Sequence, residues 1–175
     1  NLEMVQAIVK AAGNQKTPVI IQTSEGTAKY VGMRTLVAVV KSLAEALGVD
    51  MVLHLDHAKS WDNIREAVDA GYTSVMFDGS ALPFNILGTR RVVEYAHAAG
   101  ASVEAELGTV GGTEDGLVVN PDAAKLTDPD DAVEFIERTG IDALAVAIGT
   151  NHGQYKSKTS INLDVLESIH QVATK

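Results

Sequence analysis

Three histidines, four carboxylates and a serine gather at or near the ends of five short apolar runs: Ser24; His54, Asp56 and His57; Asp78; Glu104 and Glu106; and His152. If those runs are parallel strands, their ends converge on one face, and residues far apart in sequence become neighbours. His57 and His152, with Asp78 and Glu106 on the intervening runs, are the imidazole and carboxylate donors that zinc or a similar divalent ion takes. Taken singly, either histidine reads equally well as an exposed loop residue. Asp56 directly precedes His57. It reads either as a cap for the following helix or as a carboxylate placed for proton transfer beside a metal. Thr23-Ser24-Glu25-Gly26 is either a plain turn or a hydroxyl and amides that hold a phosphate. Gly111-Gly112 followed by Glu114 has the composition of a lid carrying an acid–base group. His97 and His170 sit in amphipathic stretches without a catalytic role, and Trp61 reads as helix packing.

The runs that must position these groups are Thr17–Thr23, Met51–Asp56, Thr73–Asp78, Ala101–Leu107 and Asp142–Gly149, starting 34, 22, 28 and 41 residues apart. Those intervals are close to the ~30 residues of a strand plus its crossover helix. Each run is apolar on both faces, as strands covered by helices are. Between them lie segments of helical period with caps. Leu36, Val40, Leu43 and Leu47 form a stripe ending at Gly48; Ser60 opens a helix bearing Trp61, Ile64 and Val68 that ends near Gly71. Asp128-Pro129 opens another that Gly140 closes, and Asn162 caps a last one with Val165, Leu166, Ile169 and Val172 facing inward. The order is αβαβαβαβαβα without a hairpin signal, hence a parallel sheet. An open doubly wound sheet and a (β/α)8 barrel both satisfy it; a barrel takes about 250 residues, so five units in 175 residues would be an incomplete one. The residues from Gly108 to Thr127 break the rhythm and read as a structureless functional loop at a strand's C-terminal end.

Composition excludes several classes. The formal charge is −9, from 14 Lys+Arg against 23 Asp+Glu, which argues against a phosphate-backbone footprint. The chain has no cysteine, so no disulfide scaffold and no Cys-ligated zinc. No apolar run has the length of a membrane span and no signal-peptide pattern is present. The expectation is a soluble, cytoplasmic protein with one partial barrel domain over residues 1–175, without nucleic-acid or membrane partners. The chain opens at Asn1-Leu2-Glu3 and closes at Thr174-Lys175 directly on helical stretches, which reads as an excised piece of a longer protein.

Five blocks, in order and at compatible spacing, carry a resemblance: Thr23-Ser24-Glu25-Gly26; Leu53-His54-Leu55-Asp56-His57; Val75-Met76-Phe77-Asp78-Gly79-Ser80 with Pro83-Phe84; Val103-Glu104-Ala105-Glu106-Leu107-Gly108 with Gly111-Gly112-Thr113-Glu114-Asp115; and Gly149-Thr150-Asn151-His152-Gly153-Gln154-Tyr155-Lys156. Together they resemble the class II, zinc-dependent fructose-bisphosphate aldolases, a family that includes tagatose-bisphosphate aldolases. The resemblance implies a parallel (β/α)8 TIM barrel, of which this chain supplies strands two to six. It implies that His57 and His152 bind a catalytic zinc, and that Asp78 and Glu106 serve a second divalent or a monovalent cation position. It implies that Asp56 exchanges a proton with the aldehyde-side oxygen, that Glu114 handles the proton on the ketone-side carbon, and that Ser24 and the Gly153 amide bind substrate phosphate. The implied activity is reversible cleavage of fructose 1,6-bisphosphate to dihydroxyacetone phosphate and glyceraldehyde 3-phosphate in glycolysis, in a homodimer or homotetramer. A tagatose-bisphosphate substrate and a non-catalytic metal- or phosphate-binding fragment are the alternatives. Asp56 and Glu114 argue against the second, since binding alone needs neither.

The sequence departs from the family at a few places. A third zinc histidine, which the family carries in a His-Gly-Gly/Ala block, has no counterpart in these residues. Asn85-Ile86 follows Pro83-Phe84 at once, where the family usually has two acidic residues, and Thr113 stands where many members carry Glu or Gln. Counting ligands, the isolated chain is expected to be inactive and prone to association.

Overall fold

Local side-chain chemistry sets most element boundaries. In this computed structural model, which describes residues 1–78, 82–114, 117–119, 125–154 and 160–173, the first helix α1 (Leu2–Gln15) starts where the Asn1 side chain accepts from the Met4 amide at 2.9 Å. Strand β1 (Val19–Ser24) leads to α2 (Glu25–Val31), whose cap is Ser24. Gly32, at φ 91°, ends α2 and opens α3 (Met33–Leu47), so one expected helix is two. After Gly48, β2 (Met51–Ala58) and α4 (Trp61–Ala70) follow, the helix capped by Ser60 and closed by Gly71. Next come β3 (Ser74–Phe77), buried at every residue, α5 (Leu82–Ala98) and β4 (Ser102–Leu107).

The chain then forms β5 (Gly111–Glu114) and β6 (Leu117–Val119), α6 (Pro129–Thr139), β7 (Ala143–Val146), β8 (Asn151–His152) and α7 (Leu163–Ala173). Asp128 accepts from Asp130 N at 2.9 Å and Pro129 fills the first helical position of α6. Asn162 accepts from Val165 N at 3.0 Å to start α7.

Two compact units divide these elements: Asn1–Asp78 with Arg91–Val103, and Gly79–Arg90 with Glu104–Lys175. In the first, β1, β2 and β3 lie in that order, with Ser102 at the start of β4 donating to Thr73 O at 3.0 Å. The ladder from Val19↔Met51 to Ser24↔Asp56 is unbroken and parallel. Val9, Leu55, Ile64 and Val75 are fully enclosed. Trp61 packs edge-on to Tyr95 under the Arg91 guanidinium, the packing role its sequence position implied. In the second unit, the remainder of β4 pairs in parallel with β7, Glu104↔Ala143 to Leu107↔Val146. Its core is Phe135 and Ala132 of α6 against Ala105, Leu107, Ile86 and Ile169. Among the described residues, five parallel strands alternating with helices make this an α/β chain carrying five of the strand–helix units of a parallel barrel, short of the eight that close one.

Three expectations change. The residues after Gly108 are not structureless: β5 and β6 form an antiparallel pair with Glu114 opposite Leu117, and β5 also pairs in parallel with β8. The two residues between Glu114 and Leu117 are Asp-Gly in sequence, a strong two-residue hairpin signal. Leu47 and Leu166, expected to face inward, are 44% and 39% exposed. Both lie in terminal turns, where the apolar stripe has run out of neighbours. The last apolar run ends as a strand at Val146 rather than Gly149, because Gly149 turns at φ 101°. Of the sequence blocks, Gly79-Ser80, Asp115-Gly116, Asn120-Pro121-Asp122 and Tyr155-Lys156 lie outside the described residues.

Candidate active site

In the first unit the site begins with a fault in a ladder. Leu55 pairs with Val75 and Ala58 with Phe77, so β2 takes three steps where β3 takes two. The extra residue is a bulge, which re-aims side chains at a strand end. His57 absorbs it at φ 47°, in the left-handed region. For a non-glycine residue that conformation costs about 1–2 kcal/mol, and such strain concentrates at functional positions.

The bulge sets His57 among carboxylates. Its Nδ1 is 3.7 Å from Asp78 Oδ2 and its Nε2 is 4.0 Å from Asp56 Oδ1. Asp78 is held below the usual carboxylate range, first by the polar approach of the His57 ring and then by the charges of His57 and Lys59, against the opposing effect of burial. Asp56 does not cap a helix. It lies in β2, and Ser60 is the cap that follows. Ser24 is its register partner across the β1–β2 ladder, and the Ser24 hydroxyl accepts from Thr27 N at 3.3 Å.

Two further residues carry this end of the unit. Glu25 accepts from Lys59 N at 2.8 Å and from Asn63 Nδ2 at 2.7 Å, tying the β2–α4 turn to the start of α2. His54 is buried, with Nδ1 2.7 Å from Ser74 Oγ and Nε2 3.9 Å from Asp56 Oδ1. Burial pushes its pKa below 6.5, against the charge of Asp56, so the ring is neutral at neutral pH. Below 6.5 the unfolded chain takes up a proton at His54 that the folded chain refuses, so stability falls on acidification through that window. The Asp78 contribution is present above about 4 and is lost at lower pH, in a separate window. Denaturant midpoints of the chain should therefore decline from pH 7.5 to 5.5, and His54→Gln should flatten that decline. An unchanged slope in the variant would place the effect elsewhere.

The second unit holds the remaining groups. Glu106 is half-buried on β4, and its carbonyl accepts from Asn85 Nδ2 at 3.4 Å, an amide that Thr89 fixes through a 3.0 Å bond to its Oδ1. Thr127 Oγ1 donates to Leu107 O and accepts from Ala147 N at 2.8 Å, locking the ends of β4 and β7. His152 is half-buried on β8, opposite Gly112 of β5, and Gly153 follows it at φ 77°. A Cβ at Gly112 would lie 2.2 Å from His152 O, so only glycine permits this pairing. Glu114 belongs to the same strand through its backbone pairing with Leu117.

The first unit thus brings Asp56, His57 and Asp78 together, with Ser24 beside Asp56; the second places Glu106 on β4 and sets Gly112 against His152. Among the described residues, no group of three or more His, Asp or Glu side chains is arranged to hold a metal ion. The donor chemistry nonetheless suits one, since an imidazole flanked by carboxylates is a usual divalent-cation environment. His54 and Glu25 are the residues that sequence reasoning left without a role. The alternation of His54 and Asp56, two apart on one strand, was the available signal for the first.

Parallel strands alternating with helices, with Asp56 and His57 late in β2, have the element order of a barrel enzyme. Residues 1–175 match the family described as Fructose-bisphosphate aldolase class-II throughout, and the chain belongs to that family. It is 47% identical over 174 residues to a fructose-bisphosphate aldolase of Staphylococcus aureus (strain Mu50), covering 97% of this chain and 60% of that protein. It is 47% identical over 177 residues to one from Geobacillus stearothermophilus, covering 98% and 61%. Among solved structures, the YdjI aldolase of Escherichia coli K12 superposes with a TM-score of 0.83 at 35% identity, over 98% of this chain and 60% of that one. A fructose-bisphosphate aldolase of Campylobacter jejuni superposes with a TM-score of 0.79 at 28% identity, covering 98% and 57%. The chain spans about 60% of the length of the curated relatives it matches. Among the described residues, no helix is long and apolar enough to cross a membrane.

Proposed function

We propose that the protein carrying this chain catalyses reversible, zinc-dependent aldol cleavage of fructose 1,6-bisphosphate to dihydroxyacetone phosphate and glyceraldehyde 3-phosphate, as a cytoplasmic homo-oligomer of carbohydrate metabolism. One observation carries the reading. In a chain of this family, Asp56 and His57 stand side by side on a bulge at the C-terminal end of β2, with His57 held in a left-handed conformation beside Asp78.

In this reading His57 and His152 would hold the zinc, and Asp78 and Glu106 would serve a second cation position. When bound, the metal supplies a Lewis acid for the negative charge that builds on the ketone side as the C3–C4 bond breaks. Asp56 takes the proton of the C4 hydroxyl, the C4–O bond becomes the aldehyde carbonyl, and the C3–C4 electron pair passes to the ketone fragment. Glu114 then delivers a proton to C3 of that fragment. Ser24 and the Gly153 N–H bind phosphate. No lysine Schiff base is needed.

The two proton transfers can be measured apart in the full-length protein. Asp56→Asn should slow carbon–carbon cleavage by about 10²- to 10⁴-fold, the usual weight of a general acid–base. Glu114→Ala should slow exchange of the dihydroxyacetone phosphate carbon proton with solvent far more than it weakens affinity. A loss of affinity as large as the loss of exchange would make Glu114 a binding residue instead. Running both substrates, a larger kcat/KM for tagatose than for fructose bisphosphate would replace the substrate named here.

A further inference from the structure

We propose that His54 is a positioning residue for Asp56: its ring, fixed at one nitrogen by Ser74, presents the other to the Asp56 carboxylate and holds that base in its working orientation. The inference rests on the proposed function, which makes Asp56 the group that takes the hydroxyl proton.

The strand geometry places the ring beside the carboxylate. His54 and Asp56 are two apart on β2 and so point to the same side of the strand. Ser74 lies directly opposite His54 in the β2–β3 register, and its hydroxyl meets Nδ1 at 2.7 Å. The neighbours Leu53 and Leu55 are 3% and 0% exposed, so the backbone on either side of the ring is locked in the core. The backbone is held from β1 as well: Thr23 Oγ1 donates to His54 O at 3.4 Å and meets Tyr72 OH at 2.9 Å, both in the interior. Packing alone would be served by leucine, whereas this interior position carries a polar ring.

A neutral imidazole has one N–H and one bare nitrogen. The proposed role assigns the donor in the 2.7 Å contact to the Ser74 hydroxyl, which puts the ring proton on Nε2, the nitrogen 3.9 Å from Asp56 Oδ1. That distance is longer than a hydrogen bond. At 3.9 Å the ring dipole still favours one orientation of the carboxylate, and a small movement of Asp56 toward it completes the bond. A cation in the same place would stabilise the charged carboxylate and weaken it as a base. A neutral donor orients it without that penalty. The same logic governs the partners that orient metal-site and catalytic groups, whose loss typically costs about 10- to 100-fold.

Two near-isosteric variants of the zinc-loaded, full-length protein separate this role from packing. An asparagine amide superposes on Nδ1 and keeps the Ser74 contact, while a glutamine amide superposes on Nε2 and keeps the group facing Asp56. His54→Asn should lower kcat for bisphosphate cleavage by about 10- to 100-fold, with KM and zinc content unchanged, and His54→Gln should recover most of that loss. Combined with Asp56→Asn, His54→Asn should cost nothing further, because two residues acting as one unit are not additive. Long-range ¹⁵N spectra should place the His54 proton on Nε2, and Ser74→Ala should mix the tautomers and lower kcat with KM unchanged, a readout that survives if His54→Asn fails to fold. Equal losses in the Asn and Gln variants that track the thermal unfolding temperature would overturn the proposal, as would full activity in His54→Leu or an unchanged kcat in Ser74→Ala. Intact cleavage in Asp56→Asn would instead overturn the functional reading beneath it. An inactive Asp56→Asn beside a fully active His54→Asn would remove this inference alone.

Discussion

His57→Ala and His57→Gly should both lose metal-dependent turnover in the full-length protein, and yet differ in stability in the order opposite to ordinary side-chain deletion. His57 sits at φ 47° on the β2 bulge, a conformation that suits glycine and strains alanine. Glycine there removes the imidazole and relieves the backbone, so His57→Gly should be more stable than His57→Ala by about 1 kcal/mol. Both lose the contacts to Asp78 and Asp56, so the comparison isolates the backbone. The catalytic loss is set by the missing ligand. If the metal contributes several kcal/mol to the transition state, turnover falls by about a thousandfold or more. Denaturant midpoints, zinc content and kcat for the two variants check the result. A glycine variant that unfolds before the alanine variant would show that His57 is not strained. An active, zinc-replete pair would remove it from the metal site.

Gly112→Ala should be nearly as damaging, although Gly112 carries no side chain and touches no substrate in the proposed reaction. Its added Cβ would stand 2.2 Å from His152 O and 2.8 Å from His152 N, contacts with backbone that no rotamer change relieves. At φ 106° the residue would be strained even with space around it. The β5–β8 pairing must open, and His152 moves with it. A displacement of about 1 Å at a reacting centre costs on the order of 100-fold in rate, and the zinc affinity should fall in parallel. Gly48→Ala is the control. Gly48 is also left-handed, at φ 62°, but nothing lies within 4 Å of its added Cβ. It should cost only the ~1 kcal/mol of backbone strain and leave turnover unchanged. Equal activity in Gly112→Ala and the control would show that β5 does not constrain His152.

How far the fold was legible depended on whether the deciding chemistry was local. The caps Ser60, Asp128 and Asn162 satisfy amides two or three residues away, and Gly48, Gly71 and Gly140 close their helices with their own backbones, so each was readable from a short window. The five parallel strands were readable as short apolar runs, although β3 alone is buried at every residue and Ile20 of β1 is 61% exposed. Gly32 has no such local cap signal, and the break between α2 and α3 shows only in its φ of 91°. β8 has two residues and no period of its own; its existence depends on Gly112 lying opposite. The site divides in the same way. Asp56, His57, Asp78, Glu106 and His152 were legible as residue types at strand ends and through a resemblance carried by whole blocks. The bulge that aims His57 depends on the register of β2 against β3. The partner of His54 lies 20 residues further along the chain. Neither can be read without the paired strands.

Metal removal and return would show whether cleavage depends on zinc held by His57 and His152. The full-length protein would be stripped with a chelator, its metal content measured, and cleavage of fructose 1,6-bisphosphate followed by trapping both triose phosphates before and after zinc is restored. Cleavage should disappear with the metal, return with stoichiometric zinc, and fail to return in His57→Ala or His152→Ala. Cleavage that persists in verified metal-free protein would contradict that expectation, as would a zinc-replete protein that cleaves neither the fructose nor the tagatose bisphosphate.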